Sequence, residues 1–166
     1  MNVLTRIAAG AALASGLAIG SAAAQTKWDM PTPYPDGNFH TRNIVEFAKD
    51  VERLTKGALT IQVHSGGSLI KHPEIKRSVR QGVAPIGEIL ISLHANESPI
   101  YGLDSVPFLA TSYAQSRKLY AAHRPALEKR LAEEGLVLLY SVAWPPQGIF
   151  AKKEIKSMDD FRGLKF

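Results

Sequence analysis

Two apolar runs constrain this chain more than any other feature: residues 83–91 (VAPIGEILI) and residues 136–140 (LVLLY). Short runs that are apolar on both alternating sides mark strands buried on both faces, as in a parallel sheet lying between helices. Parallel neighbours cannot be joined by a tight turn; they need crossovers about a dozen residues long or longer. The chain supplies them. In residues 39–56, Ile44, Phe47, Ala48, Val51 and Leu54 recur at helical spacing, with Asn38 placed as N-cap and Gly57 as terminator. Residues 73–81 read as a short helix entered through Pro73. Residues 113–134 read as a long one on Leu119, Ala122, Leu127 and Leu131, closed by Gly135. Pro125 inside it predicts a kink, or two helices meeting there. Residues 27–30 and 58–63 complete the strand set, the latter with Leu59, Ile61 and Val63 on one side. Strand and helix alternate, so the expected class is α/β with a mainly parallel sheet.

Bulk properties narrow the function classes. Of 166 residues, 45% are hydrophobic and 21% charged, an ordinary globular balance with no sign of disorder. Formal charge is +5, and residues 1–24 hold Arg6 but no acid, leaving +4 for the rest. The excess is dispersed and lacks the concentrated basic stripe of a nucleic-acid binder. With no cysteine, thiolate chemistry and disulfides are excluded. Residues 1–24 read as a signal peptide: Arg6 precedes an Ala/Leu/Gly run, and Ala22-Ala23-Ala24 offers a small-residue cleavage pattern before Gln25. A membrane anchor is the weaker reading, since the run falls short of the ~20 residues a spanning helix needs.

Chemistry-bearing residues are sparse. Glu88 lies in the middle of an apolar run, where an unpaired carboxylate costs several kcal/mol and so needs a cation, donors or a wet cleft. It is expected at the end of the sheet where open α/β folds hold ligands. His40, His64, His72, His94 and His123 show no metal-ligand spacing, so no metal and no cofactor are expected. The loop His64-Ser65-Gly66-Gly67-Ser68 lacks P-loop spacing and reads as a turn able to touch a small anion. Ser65, His40 and Glu88 form a triad only on paper. Lys71, Lys76, Arg77 and Arg80 read as a solvated face.

The last stretch is punctuated most densely. Trp144-Pro145-Pro146 is an extended entry, and residues 147–151 read as a short strand. Ser157 is a helix N-cap ahead of Asp159 and Asp160, and Gly163 is the stop. Leu164-Lys165-Phe166 then opens a further strand, so the chain reads as the front part of a longer protein. This stretch, with its Lys-Lys-x-Ile-Lys-Ser and Asp-Asp-Phe-Arg-Gly-Leu-Lys-Phe segments, resembles the middle of TRAP-transporter periplasmic substrate-binding proteins of the DctP type. The resemblance runs from Lys27 to Phe166, roughly the first half of such a protein.

The resemblance implies a two-lobed fold of the type II periplasmic binding protein kind, with a mainly parallel sheet in each lobe. Residues 25–144 would form lobe I, and residues 145–166 a hinge strand and the start of lobe II. It implies a periplasmic receptor that closes on a small organic acid and delivers it to a membrane permease, with no nucleic acid involved. Carried over by position, the ligand-lining residues are Phe39, His40, Glu88, Trp144 and Gln147. The family's carboxylate-gripping arginine follows the GLKF-like segment, beyond Phe166, so the 166 residues alone are expected to bind acids weakly. Gln147 stands where many members carry a second arginine. An amide brings donors but no charge, which favours a monocarboxylate, aromatic acids included, over a dicarboxylate. A secreted α/β enzyme acting on a small anion is the alternative.

Overall fold

The computed structural model describes residues 25–145, 148 and 150–164. Two strands, β1 (Thr26–Pro31) and β2 (Leu59–His64), pair in parallel, with Met30 opposite Val63 and Pro31 opposite His64. Their crossover is α1 (Phe39–Leu54). Asn38 caps it as the sequence suggests: its backbone is extended and its side-chain oxygen accepts from the His40 N–H at 2.8 Å. The far end closes in a Schellman pattern, with the Lys56 N–H donating to the Arg53 carbonyl and the Gly57 N–H to that of Glu52. The helix lays Ile44 on Met30 and Ile86, with Trp28, Phe47, Ile61 and Val63 around them.

The second helix, α2 (His72–Arg80), carries its proline in the first turn. The third, α3 (Tyr113–Glu133), is capped by Ser112, whose hydroxyl accepts from the Gln115 N–H. Leu127 and Leu131 of α3 pack on Tyr101, which belongs to a 3-10 segment, Pro99–Ser105. Ile91, Ile100, Leu136 and Leu138 complete this second cluster. Among the described residues, no helix is long and apolar enough to cross a membrane.

Three expectations are corrected. Residues 83–91 touch the edge of β1 and residues 136–140 pack on α1 and the second cluster, and neither run joins the ladder of β1 and β2. Pro31 at the end of β1 accepts from the Glu88 N–H at 3.0 Å but has no N–H to return, and Pro85 removes another donor. Neither run is buried on both faces: Leu136 and Leu138 enter the second cluster, while Val137 is 83% exposed. Next, α3 continues through Pro125 as one helix instead of two meeting there. Pro125 and Ala121 both lie on its exposed side, where water can take the Ala121 carbonyl that the proline cannot serve.

Third, Lys76 is no solvated residue. Its side chain is 4% exposed, and its ammonium sits 2.5 Å from Glu97 and 2.6 Å from Glu134. Glu134 also accepts from the Tyr101 hydroxyl at 2.7 Å and pairs with Arg130 at 3.0 Å. Glu97 pairs with His94 at 2.6 Å. This network ties α2 to α3 and to the 3-10 turns between them. Burial works against charge on Glu134, but the hydrogen bonds from Lys76 and Tyr101 outweigh it and hold the carboxyl below its usual range. The loop at 64–68 is a turn, as expected, and the N–H groups of Gly66 and Gly67 donate to the carbonyls of Tyr34 and Thr32, bracing the end of β1.

The helix expected after Ser157 is a 3-10 turn, Met158–Phe161, with a capping box between Ser157 and Asp160, and Gly163 follows at φ +72. The expected strand at 147–151 and the terminal Lys165 and Phe166 fall wholly or partly outside the described residues, as does the segment 1–24.

Candidate functional site

The end of β1, the start of α1 and the segment 86–90 meet at one place. Thr32 follows β1 and is held by a hydrogen bond from its N–H to the His64 carbonyl at 2.9 Å. Tyr34 lies two residues further on, fixed by the Thr41 hydroxyl and the Gly66 N–H, both donating to its carbonyl. Phe39 and His40 occupy the first turn of α1, positioned by the Asn38 cap.

Glu88 follows Gly87, whose lack of a side chain lets this segment pack tightly on α2. A Cβ there would lie 2.7 Å from Ile75 Cγ2 and 3.2 Å from Val79 Cγ2. The Glu88 carboxyl accepts from the fully buried Thr32 hydroxyl at 2.5 Å through Oε2, while its Oε1 stands 3.7 Å from His40 Nδ1. Burial pushes its pKa above the usual carboxylate range, and the Thr32 hydroxyl opposes that rise.

Trp144 closes the group from the far end of the chain. The centroid of its ring system lies 4.4 Å from His40, 5.2 Å from Tyr34 and 5.4 Å from Phe39, the last two edge-on. His40 itself packs at 4.1 Å on Phe39 and stacks on Tyr34 at 5.3 Å. Two polar atoms in this aromatic wall, Tyr34 Oη and His40 Nε2, are buried and meet no hydrogen-bond partner of good geometry among the described residues, the Trp144 indole only leaning toward the Tyr34 hydroxyl. Burial lowers the His40 pKa, favouring the neutral ring. Burial first, then the charge of Glu88, raise that of the Tyr34 hydroxyl, with the Trp144 indole acting weakly the other way. Buried polar groups without partners cost about 1–3 kcal/mol each, so such a pair is a place where a bound molecule gains.

The wall can therefore offer a flat aromatic surface, a phenol, an imidazole nitrogen and a carboxylate to one small ligand. Two concavities lie elsewhere, one over α1 and β2 around Val45 and Ile61, the other along α2 around Arg77 and Arg80. The second holds one buried, unpartnered ring nitrogen, His94 Nε2, whereas the wall sets two such polar atoms within a cluster of four aromatic rings, which singles it out. No cluster of three metal-ligating side chains occurs among the described residues.

Of the residues named from the sequence, Phe39, His40, Glu88 and Trp144 come together here, and Gln147 lies outside the described residues. Ser65, the third member of the paper triad, makes no contact with His40 or Glu88 among the hydrogen bonds and ion pairs of the described residues. Sequence reading missed Thr32 and Tyr34, which sit between Pro31, Pro33 and Pro35 and look like a mere connector. The available signal was positional: they follow the carboxyl end of a parallel strand, where α/β sheets place ligands.

Residues 32–166 match the family described as bacterial extracellular solute-binding protein, family 7. The chain is 57% identical to DctP6, an extracytoplasmic solute receptor of Bordetella pertussis whose crystal structure shows it binding pyroglutamic acid. The match covers 84% of this chain and 46% of that one, at a TM-score of 0.82. A marine-metagenome TRAP solute-binding protein specific for pyroglutamate is 50% identical over 85% of this chain and 46% of its own, also at 0.82. A solute-binding protein of Albidiferax ferrireducens is 30% identical over 134 residues, 78% of this chain and 39% of that protein. The chain thus spans less than half the length of these relatives.

Proposed function

Because the chain belongs to family 7 of the bacterial extracellular solute-binding proteins, we propose that residues 25–144 are the first lobe of a two-lobed TRAP receptor, with residues 145–166 entering the second. In this reading residues 1–24 direct export to the periplasm. The receptor closes on a small organic acid and passes it to a membrane permease. Closure is a hinge motion that the ligand favours through contacts available only in the shut form. The family comprises solute receptors, which weighs against the α/β enzyme alternative.

One observation carries the reading: an aromatic wall of Tyr34, Phe39, His40 and Trp144 that leaves two buried polar atoms unanswered beside Glu88. A compact ring acid fits that chemistry, its flat face on Trp144 and Phe39 and its polar edge toward Tyr34 and His40. Glu88 repels a second carboxylate, so the ligand is a monocarboxylate. The pyroglutamate bound by the Bordetella receptor supports this class.

The test is calorimetric titration of the receptor containing this chain with pyroglutamate, a 2-oxoacid and a dicarboxylate. Saturable binding of the cyclic monocarboxylate, lost about thirtyfold in Trp144→Ala as for an aromatic anchor, is expected. Tighter binding of the dicarboxylate, or no binding of any acid, would sink the proposal.

A further inference from the structure

Glu88 is held on one oxygen and left open on the other. Thr32 Oγ1 donates to Oε2, and Thr32 is fully buried, so no water competes for its hydroxyl. The backbone fixes the pair, because the Thr32 N–H is tied to His64 and the Glu88 N–H to Pro31, placing hydroxyl and carboxyl on adjacent segments. Oε1 accepts no hydrogen bond among the described residues, and His40 Nδ1 at 3.7 Å is beyond reach of one. Titratable neighbours are Tyr34 from the loop after β1, His40 from α1, Tyr140 from residues 136–140 and, behind Tyr34, His72 from α2. No lysine or arginine among the described residues pairs with the carboxyl. Burial alone favours its protonated form, and the Thr32 hydroxyl is what opposes that.

We propose that Thr32 is a positioning residue which, through its hydrogen bond to Oε2, keeps Glu88 a hydrogen-bond acceptor with Oε1 open, so that the ligand selected is an acid carrying a separate N–H donor. This rests on the reading of the aromatic wall as an acid site. An anion placed beside a carboxylate is repelled unless a donor comes between them. A lactam N–H supplies that donor. The corresponding lactone turns a ring oxygen toward Oε1, acceptor against acceptor, and is refused.

The experiment uses the receptor containing this chain, with pyroglutamate and its lactone analogue, 5-oxotetrahydrofuran-2-carboxylate, as probes in calorimetry across the acidic to neutral range. In parallel, carbon-13 carboxyl NMR follows the titration of Glu88 without ligand. Wild type should prefer the lactam by about tenfold or more, the scale of one hydrogen bond to a charged group. Thr32→Val should cost the lactam about tenfold, narrow the preference, and move the Glu88 titration to higher pH, so that binding is lost from a higher pH downward. Thr32→Ser should restore all three. If Thr32→Val loses its cooperative unfolding transition, Thr32→Cys, with its weak S–H donor, replaces it. An unmoved Glu88 titration in the variant overturns the positioning role, whatever binds. An unchanged lactam preference in a variant that still binds overturns the selection. Failure of wild type to bind any acid overturns the receptor reading instead, and is told apart because the titration needs no ligand.

Discussion

Replacing Lys76 by methionine should cost about 3 kcal/mol of stability. The structure sets that figure. Lys76 and Glu134 are 4% and 7% exposed at 2.6 Å, and removing one partner of a buried pair costs about 3–5 kcal/mol because the other is stranded. Glu134 keeps Tyr101 and Arg130, which places the loss at the low end of that range. Glu97 adds little, since it is 39% exposed and solvent screens it. Lys76→Met with Glu134→Gln should recover most of the loss, by about 2 kcal/mol, since the stranded charge is gone.

Urea unfolding followed by circular dichroism gives both numbers, provided the slope is unchanged. The pH dependence has a fixed sign. Glu134 and Glu97 titrate below their ordinary range, so the network stabilises the fold above the unfolded carboxylate pKa and loses that effect as pH falls through the folded values. The penalty for Lys76→Met should therefore shrink in acid. A single variant within about 0.5 kcal/mol of wild type, the range of an inert surface change, would refute the reasoning. So would a double variant no better than the single.

Gly87→Ala should destabilise by about 1–3 kcal/mol, because the new methyl meets Ile75 at 2.7 Å and Ile75 is fully buried; chemical denaturation checks it, and the cost should shrink when measured in an Ile75→Ala background. Glu88→Gln should raise the thermal midpoint near neutral pH. The folded pKa of Glu88 lies above its unfolded value, so its ionisation opposes folding as pH rises through the folded value, and the gain should vanish in acid; a melting series over pH reads this. Pro125→Ala should stabilise α3, by up to about 3 kcal/mol, since it restores a donor to the Ala121 carbonyl; unfolding free energy is the readout.

Local chemistry was legible in the sequence where one residue sufficed to impose it. Asn38, Pro73 and Ser157 all stand at helix starts, and the Ile44–Phe47–Ala48 stripe faces the strands. Contacts between distant segments were not legible. Lys76 looked solvated because its partners Glu97 and Glu134 lie 21 and 58 residues further along, and only the packing of α3 brings them in. The run at 83–91 has strand composition, yet a ladder depends on a neighbour that can both donate and accept, and Pro31 only accepts. In the candidate site, the resemblance picked out Phe39, His40, Glu88 and Trp144. Thr32 and Tyr34 escaped because proline spacing hides which way a loop side chain turns.

The most direct measurement is protein-observed NMR of the receptor containing this chain titrated with pyroglutamate, using Trp28 and Trp144 as paired reporters. The account predicts shifts at the Trp144 indole and at Tyr34, His40 and Glu88, with the Trp28 indole in the β1 cluster unmoved. Shifts confined to α2 around Arg77 and Arg80, or equal movement of both indoles, would contradict it.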